Sequence, residues 1–520
     1  MEENIDIDRL RHSAAHVLAM AAQRLFPDTK IGVGPVTDDG YYYDFEFPHQ
    51  ITVEDLRLLE AEMNDIILAD LPFTQIVVSK EEGFDILLKR GQIFKAELLR
   101  EIPAAEVSFY RTGEEFIDLC RGPHLDSTSQ IGAIKLLSLT DTFWQGDSSR
   151  PAMQRVMGTA FPDKESLNEY LTKKDQIASR DFRQLAKHLQ LNLGGESNVT
   201  YTPGGTMAFQ QIREVITRSY KEQEFQEVLA PPVINLGQMQ SGVNSYYSHK
   251  NRSYKELPIS IYTFNRNELA DAHQIAEHDY RSISTLVCKT FFSINEKYNQ
   301  LQHTIHAAVN ALESLRLDYT ANLHVGDLED EYLAQISELL QRKGVPQKHI
   351  VDPETNGVYI EFCGKDSLDR NWVFARCHFQ ESEFKYVSRL GDMENVFTFS
   401  SEWIVENLLA FFIEDQEGLL PIWLAPTQVR IIPISEEHYD FAEKAEKSLV
   451  EAGFRCEVDA RSETMQARIR HAELLRIPVI AIIGEKEQSS NAVSLRLRQE
   501  KEVGMVALDS LVETIVELYS

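Results

Sequence analysis

Two stretches of backbone punctuation do most to limit what this chain can fold into. Gly194-Gly195 with Pro203-Gly204-Gly205 is one, and the proline-bounded run over residues 421–426 is the other. Both mark boundaries that no continuous helix or strand crosses. A chain of 520 residues also exceeds what one core holds, so several domains are expected. Residues 8–26 read as an amphipathic helix, with Leu10, Val17, Leu18, Ala21 and Leu25 at helical spacing. Residues 31–45 read as two strands joined at Asp38-Asp39-Gly40, residues 52–68 as a helix, and residues 163–191 as one long polar connecting helix. The middle stretch, 201–424, mixes helices with β-branched strands, the pattern of an α+β domain. The last stretch reads as strand 429–434, helix 436–452, strand 455–458, helix 464–475, strands 478–483 and 493–498, and helix 508–519, a compact α/β unit. The expected fold class is an α+β multidomain protein, divided at 1–162, 163–200 (connector), 201–424 and 425–520.

Composition narrows the setting. No run of about 18 apolar residues occurs, so no membrane span is expected. The first eleven residues are polar and acidic, and no secretory signal is expected. Cys120, Cys288, Cys363, Cys377 and Cys456 are scattered, and no C-x-x-C pair exists, which argues for a reducing, cytoplasmic location. The net charge of −29 repels nucleic acid as a whole. Any RNA contact must come from local basic clusters and must weaken with salt.

Two motifs carry chemistry. His12 and His16 are four apart and share one helix face; Cys120-x-x-x-His124 follows a hundred residues later. Three imidazoles and a thiol can converge on one water, directly or through a metal. Hydrolysis of an ester needs an oriented water, a proton acceptor and charge stabilisation at the carbonyl oxygen. The same four donors suit a tetrahedral zinc site, and Cys120 beside Arg121 offers a thiol of lowered pKa as a covalent nucleophile.

With these pieces in order, the chain resembles the bacterial threonyl-tRNA synthetases over nearly its whole length. His12-Ser13-Ala14-Ala15-His16, Gly34-Pro35-Val36, Tyr42-Tyr43-Asp44, the string from Asp118 to His124, and Trp144-Gln145-Gly146-Asp147 look like that family's editing domain. The small ubiquitin-like domain that usually precedes it is not expected here. The resemblance implies catalytic roles for His12, His16, Cys120 and His124. It also implies roles for Lys95, holding the ribose or phosphate or polarising the ester, and for Asp118, binding the substrate's amino group. The threonyl-type pocket is a metal-free water site, whereas related alanyl-type domains use the same pattern with zinc; no cofactor is expected, with zinc the alternative.

The middle region resembles the antiparallel class II synthetase core but departs from it at working positions. The family holds zinc with one cysteine and two histidines. Around residues 246–257 no cysteine stands, and the histidine positions align with Thr285 and Thr398. A substrate-facing glutamine aligns with His378. Arg266-Asn267-Glu268 match the second class II motif, which implies vestigial nucleotide binding by Arg266 and Glu268. The third motif's arginine aligns with Asn407, which offers no charged fork, and arginines at phosphoryl-transfer sites are worth roughly 10³–10⁵-fold. Glu227-Val228-Leu229-Ala230-Pro231 resembles the first motif, which builds a two-fold interface, so a homodimer is expected.

The C-terminal unit looks like the family's α/β anticodon-binding domain. Arg461, Arg468, Arg470, His471 and Arg476 lie on or near one helix, and Arg496, Arg498 and Lys501 on or after a strand. Lys486-Glu487 and Arg496 match anticodon-reading positions, which makes Glu487, Arg496, Arg498 and Arg468 the candidate tRNA contacts and tRNA(Thr) the expected partner. Three functions remain open on these residues: a free-standing editing factor that hydrolyses Ser-tRNA(Thr), a divergent but active threonine ligase, and a non-catalytic tRNA-binding or regulatory protein.

Overall fold

The computed structural model describes residues 6–193, 200–232, 238, 240–275, 278–325, 330–351, 358–498 and 501–519. The chain forms two compact units, residues 1–176 and 177–520.

The first unit opens on α1 (Ile7–Leu25), started by Asp6, whose side chain accepts hydrogen bonds from the Asp8 and Arg9 amides. Its Leu10, Ala14, Val17, Leu18 and Ala21 are fully buried. They share a core with Tyr41, Phe45, Leu59 and Met63. Next come β1 (Lys30–Ile31), β2 (Val36–Thr37), β3 (Gly40–Glu46) and α2 (Asp55–Leu68). The hairpin at Asp38-Asp39 joins β2 to β3, as its turn signal implied. Then follow β4 (Phe73–Ser79), α3 (Lys80–Lys89), α4 (Ile93–Glu101), β5 (Glu106–Thr112), β6 (Phe116–Leu119), β7 (Ala133–Phe143) and β8 (Ala152–Phe161). One sheet has the order β1-β3-β8-β7, with β2 on β3; a smaller one runs β4-β5-β6.

The expected single connector over 163–191 is two helices, α5 (Lys164–Ser179) and α6 (Phe182–His188). The break has a local cause. Asp181 adopts non-helical φ/ψ, and its carboxylate accepts from the Arg183 and Gln184 amides, which caps a new helix.

The second unit continues with α7 (Pro203–Lys221), β9 (Gln226–Glu227), α8 (Ser241–Ser248), β10 (Arg252–Ser253), β11 (Ile259–Ile275), β12 (His278–Phe292) and α9 (Lys297–Ser314). Beyond these lie β13 (Thr320–Val325), α10 (Asp330–Arg342), β14 (Gln347–Val351), β15 (Val358–Lys365), β16 (Asn371–Val387), β17 (Met393–Ile404) and α11 (Val405–Asp415). The sheet order is β14-β13-β15-β16-β17-β12-β11-β9, with β10 on β16, and its long neighbours are antiparallel. Strand alternation gives the sheet two chemistries. One face carries Tyr262, Leu286, Cys288, Cys377, Phe379, Phe399 and Trp403, which join residues of α7, α9 and α11 in one core. On the other face a polar row runs across the strands, from Lys289 opposite Ser400 to His378, Tyr359 and His324.

The last part is β18 (Val429–Pro433), α12 (Tyr439–Glu451), β19 (Cys456–Val458), α13 (Met465–Leu474), β20 (Val479–Ile483), α14 (Glu485–Ser489), β21 (Ala492–Leu497), β22 (Lys501–Ala507) and α15 (Leu511–Tyr519), with sheet order β19-β18-β20-β21-β22. Strand β22 and helix α14 were not anticipated from the sequence. Gly504, at positive φ within β22, and the charged Lys501-Glu502 hide its alternation.

Candidate active site

Helix α1 presents His12 and His16 one turn apart. The β5–β6 hairpin, with Tyr110 opposite Asp118, sets Asp118 beside them and ends at Cys120. The chain then turns through Gly122 at φ +70°, where an added Cβ would sit 2.4 Å from the Tyr110 hydroxyl, so only glycine fits. That turn brings His124 back over α1. The imidazole centroids of His12 and His16 lie 4.2 and 4.1 Å from that of His124. Cys120 Sγ is 3.2 Å from His12 Nε2 and 3.4 Å from His124 Nε2. All four catalytic candidates of the two motifs therefore meet.

Hydrogen bonding sorts the protons. Ser13 Oγ donates to the Arg9 carbonyl at 2.9 Å and accepts from the Leu125 amide at 2.9 Å. With its one proton committed, its contact to His124 Nδ1 at 3.3 Å is Nδ1–H donating. The Pro123 backbone also bonds the His12 ring. The Nε2 atoms of His12 and His124 both face the thiol, and that of His124 does so with its lone pair. His16 Nε2 lies 3.5 Å from Asp118, and its buried Nδ1 has no hydrogen-bond partner among the described residues. Burial lowers the pKa of His12, opposed by Pro123 and Asp118. Burial also holds His16 and His124 well below the ordinary imidazole value, reinforced by the neighbouring rings. The Cys120 thiol is pushed by burial up to about 11. This corrects the lowered thiol pKa expected from Arg121, whose side chain is exposed. Burial thus favours the protonated thiol of Cys120 over the thiolate.

Asp118 and Lys95 form the second layer. The Asp118 carboxylate accepts from the Tyr43 hydroxyl at 2.6 Å and from Lys95 Nζ at 2.9 Å. Both members of the ion pair are buried. Asp118 thus organises Lys95, Tyr43 and His16. Tyr43, Ser13 and Arg9, whose guanidinium bonds the His124 carbonyl, are functional neighbours that the motif reading passed over. The clue to Tyr43 was its place on the buried face of β3, two residues from the buried Tyr41.

His12, His16, Cys120 and His124 are the residues that could hold a metal. Their donor atoms lie within 4.8 Å of one another. Tetrahedral zinc, with donors at about 2.0–2.3 Å, sets them roughly 3.3–3.7 Å apart. The donor set fits zinc after a modest closure.

The central sheet answers differently. Thr285 lies opposite Ile404, whereas Thr398 lies opposite Phe291. Six residues of strand, about 20 Å, separate the two positions, so they cannot both stand where two ligands of one ion would, and the alignment of the family's two histidine positions with Thr285 and Thr398 is corrected. On the same face, nearer Thr398, stands Lys289, opposite Ser400. His378 stacks on Tyr359 with centroids 4.7 Å apart. Asn407 is buried, and its Nδ2 donates to the Val373 carbonyl at 2.6 Å. Asn267 Nδ2 donates to Thr285 Oγ1 at 2.8 Å. Asn267 therefore shares the polar face, and alternation puts Arg266 and Glu268 on the other one, with Tyr262 and Phe264. The expected nucleotide-binding pair and the polar row do not converge.

In the C-terminal domain, Arg468 is buried, and its guanidinium donates to the Asp459 and Ile434 carbonyls. Its expected tRNA contact is corrected to a structural tie. Arg498 donates to the Leu420 carbonyl at 2.7 Å. Arg496 pairs with Glu473 at 3.0 Å. Glu487 accepts from Ser494 Oγ and the Gly484 amide. Arg470 and Lys486 are exposed; the Lys501 side chain lies outside the described residues. Residues 425–520 hold 12 Lys and Arg against 17 Asp and Glu.

Comparison with known proteins agrees with this architecture. Residues 107–157 match the model of the "Threonyl and Alanyl tRNA synthetase second additional domain", and residues 428–518 that of the "Anticodon binding domain". Among solved structures, the RNA binding domain of threonyl-tRNA synthetase from Cryptosporidium parvum Iowa II superposes with a TM-score of 0.57 at 20% identity, over 66% of this chain and 99% of that one. Prolyl-tRNA synthetase from Cryptosporidium parvum gives 0.53 at 15%, over 65% and 76%. Fold and modules define an aminoacyl-tRNA synthetase architecture with an editing-type domain and an anticodon-binding domain. Threonine--tRNA ligase of Dehalococcoides mccartyi (strain CBDB1) is 32% identical over 95% of this chain and 93% of its own length. That of Caldanaerobacter subterraneus subsp. tengcongensis is 31% identical over 97% and 86%. The chain belongs to the threonyl-tRNA synthetase family.

Proposed function

We propose that this chain is a tRNA-acting hydrolase that removes serine from Ser-tRNA(Thr), with the central sheet as scaffold. The observation that carries this reading is the convergence of the His12 and His124 Nε2 atoms on the Cys120 thiol in one pocket, together with a central unit whose third-motif position, Asn407, is spent on a backbone carbonyl. A water held beside Cys120 and the imidazoles gives its proton to a ring Nε2 as its oxygen bonds the ester carbonyl carbon. The tetrahedral intermediate collapses, the ribose oxygen leaves, and the imidazolium returns the proton to it. Lys95 supplies positive charge near the developing oxyanion. Serine lacks threonine's methyl, so a pocket sized for serine rejects threonine sterically, as a second sieve does. Zinc, if bound by His12, His16, Cys120 and His124, would supply a Lewis acid and a more acidic water; the proposed reaction uses the metal-free site. The partner is tRNA(Thr), met in the cytoplasm. A homodimer is proposed on the first-motif segment, where Leu229 is 94% exposed.

The test is deacylation of Ser-tRNA(Thr) and Thr-tRNA(Thr) by the purified chain, with His12→Ala and Cys120→Ala as controls. Release of serine that both substitutions abolish is the expected result; no release from Ser-tRNA(Thr) ends the proposal. A second reading, an active threonine ligase, is favoured by the names of the relatives. Threonine-dependent ATP–pyrophosphate exchange would establish it. Tight tRNA binding with neither activity would leave the binding-protein reading.

A further inference from the structure

The polar face of the second unit's sheet holds a cation of its own. Lys289, on β12, is 2% exposed. It stands on the same face as Val287 and Phe291, which pack with Ile261 under Val243 and Tyr247 of α8. Its ammonium donates to Gln240 Oε1 at 2.6 Å and to Asn244 Oδ1 at 3.0 Å. Gln240 passes the interaction on, its amide donating to Ser400 Oγ at 3.0 Å and to Glu402 Oε1 at 2.8 Å. An ammonium, two amides, a hydroxyl and a carboxylate thus close on one another beside Thr398, where the family resemblance places one ligand of a zinc ion. No thiol or imidazole other than His378 is at hand on this face near Lys289 among the described residues, and amide and hydroxyl oxygens around a lysine do not make a zinc site.

We infer that Lys289, clamped by Gln240 and Asn244 and bridged to Glu402, is a built-in cation that fills this position, so that the central sheet takes neither a metal ion nor the ammonium group of a free amino acid. The chemistry is substitution of like for like in charge. A fixed positive group satisfies the oxygens that would otherwise face a ligand's cation, and its like charge repels both a divalent ion and an α-ammonium group. α8 is held down on the sheet by the same contacts at its first turn. This inference stands on the second unit alone and is independent of hydrolysis at the first.

The experiment is thermal unfolding of the full chain, followed through the second unit by hydrogen exchange. Lys289→Ala and Lys289→Met should each lower the midpoint by about 5 °C, as expected when one partner of a buried charge network is removed. n-Propylammonium chloride should raise the midpoint of Lys289→Ala and leave the wild type unmoved; sodium propionate and tetramethylammonium chloride should do neither. Lys289→Met with Glu402→Gln should recover part of the loss, and this pair carries the test if Lys289→Ala does not fold. In a His12→Ala, Cys120→Ser background, which disables the first unit's donors, zinc uptake should stay far below one per chain, and threonine should not shift the midpoint. Unchanged midpoints in both Lys289 variants, equal rescue by propionate, no rescue by propylammonium, stoichiometric zinc, or a threonine-induced rise would each overturn the inference.

Discussion

The Asp118–Lys95 pair offers the sharpest test of how the first unit is built. Its side chains are 2% and 6% exposed, with Lys95 Nζ 2.8 Å from Asp118 Oδ1. Asp118→Asn keeps the shape and an acceptor for Tyr43, but it leaves a buried ammonium without its counter-charge and turns an amide donor toward it. Breaking one side of such a pair costs about 3–5 kcal/mol. Lys95→Met leaves the carboxylate held only by Tyr43 and His16 and should cost about as much. The double substitution removes both charges together, so its loss should fall short of the sum by about 2–3 kcal/mol. Urea unfolding of the full chain, with hydrogen exchange reporting on α1 and β6, measures the cycle. Losses that add to within about 0.5 kcal/mol would show that the two groups do not sense each other and would refute the buried-pair argument.

Other outcomes follow from the same structure. Glu406 is buried and its carboxyl is pushed by burial up to about 7 from an ordinary 4.5. The folded chain keeps that proton where the unfolded chain has lost it, so the stability it contributes is present below pH 4.5 and is lost as pH rises through 7, by roughly 3 kcal/mol; Glu406→Gln should flatten that slope in melts run across the window. Asn407→Arg forces a longer charged group into a buried site, so calorimetry should show a loss of about 1–3 kcal/mol and pyrophosphate exchange should not appear. Arg468→Ala should destabilise the C-terminal domain by about 2–4 kcal/mol through its freed carbonyls, whereas Arg470→Ala should leave stability alone and lower the salt slope of tRNA binding by about one. Deacylation should survive EDTA dialysis; activity lost and restored by zinc would reject the metal-free water.

Much of this was legible because helices and motifs are local. His12 and His16 share a face by spacing alone, and the strings around Cys120 and His124 carried the family likeness. What sequence missed was long-range or broken by a single residue. Asp181 ends one helix and starts another, which polar periodicity cannot show. Thr285 and Thr398 matched family positions by order along the chain, yet register across β12 and β17 parts them, because pairing between strands is written in neither strand alone. Arg468 looked like its basic neighbours; only the fold shows that Asp459 and Ile434 turn their carbonyls toward it. Tyr43 and Ser13 were visible inside the motifs, but their roles depend on Asp118 and His124, distant in sequence.

The surplus of acids in residues 425–520 has a kinetic side. A polyanion drifting in from afar feels the domain's net negative charge and is slowed. Only within about 8 Å, the screening distance at physiological ionic strength, do Arg470 and Lys486 outweigh it. A little added electrolyte shortens the reach of the repulsion before it weakens the contact. Encounter with RNA should therefore quicken and then slow as ionic strength climbs, passing through an optimum, where an evenly basic surface would show a steady decline.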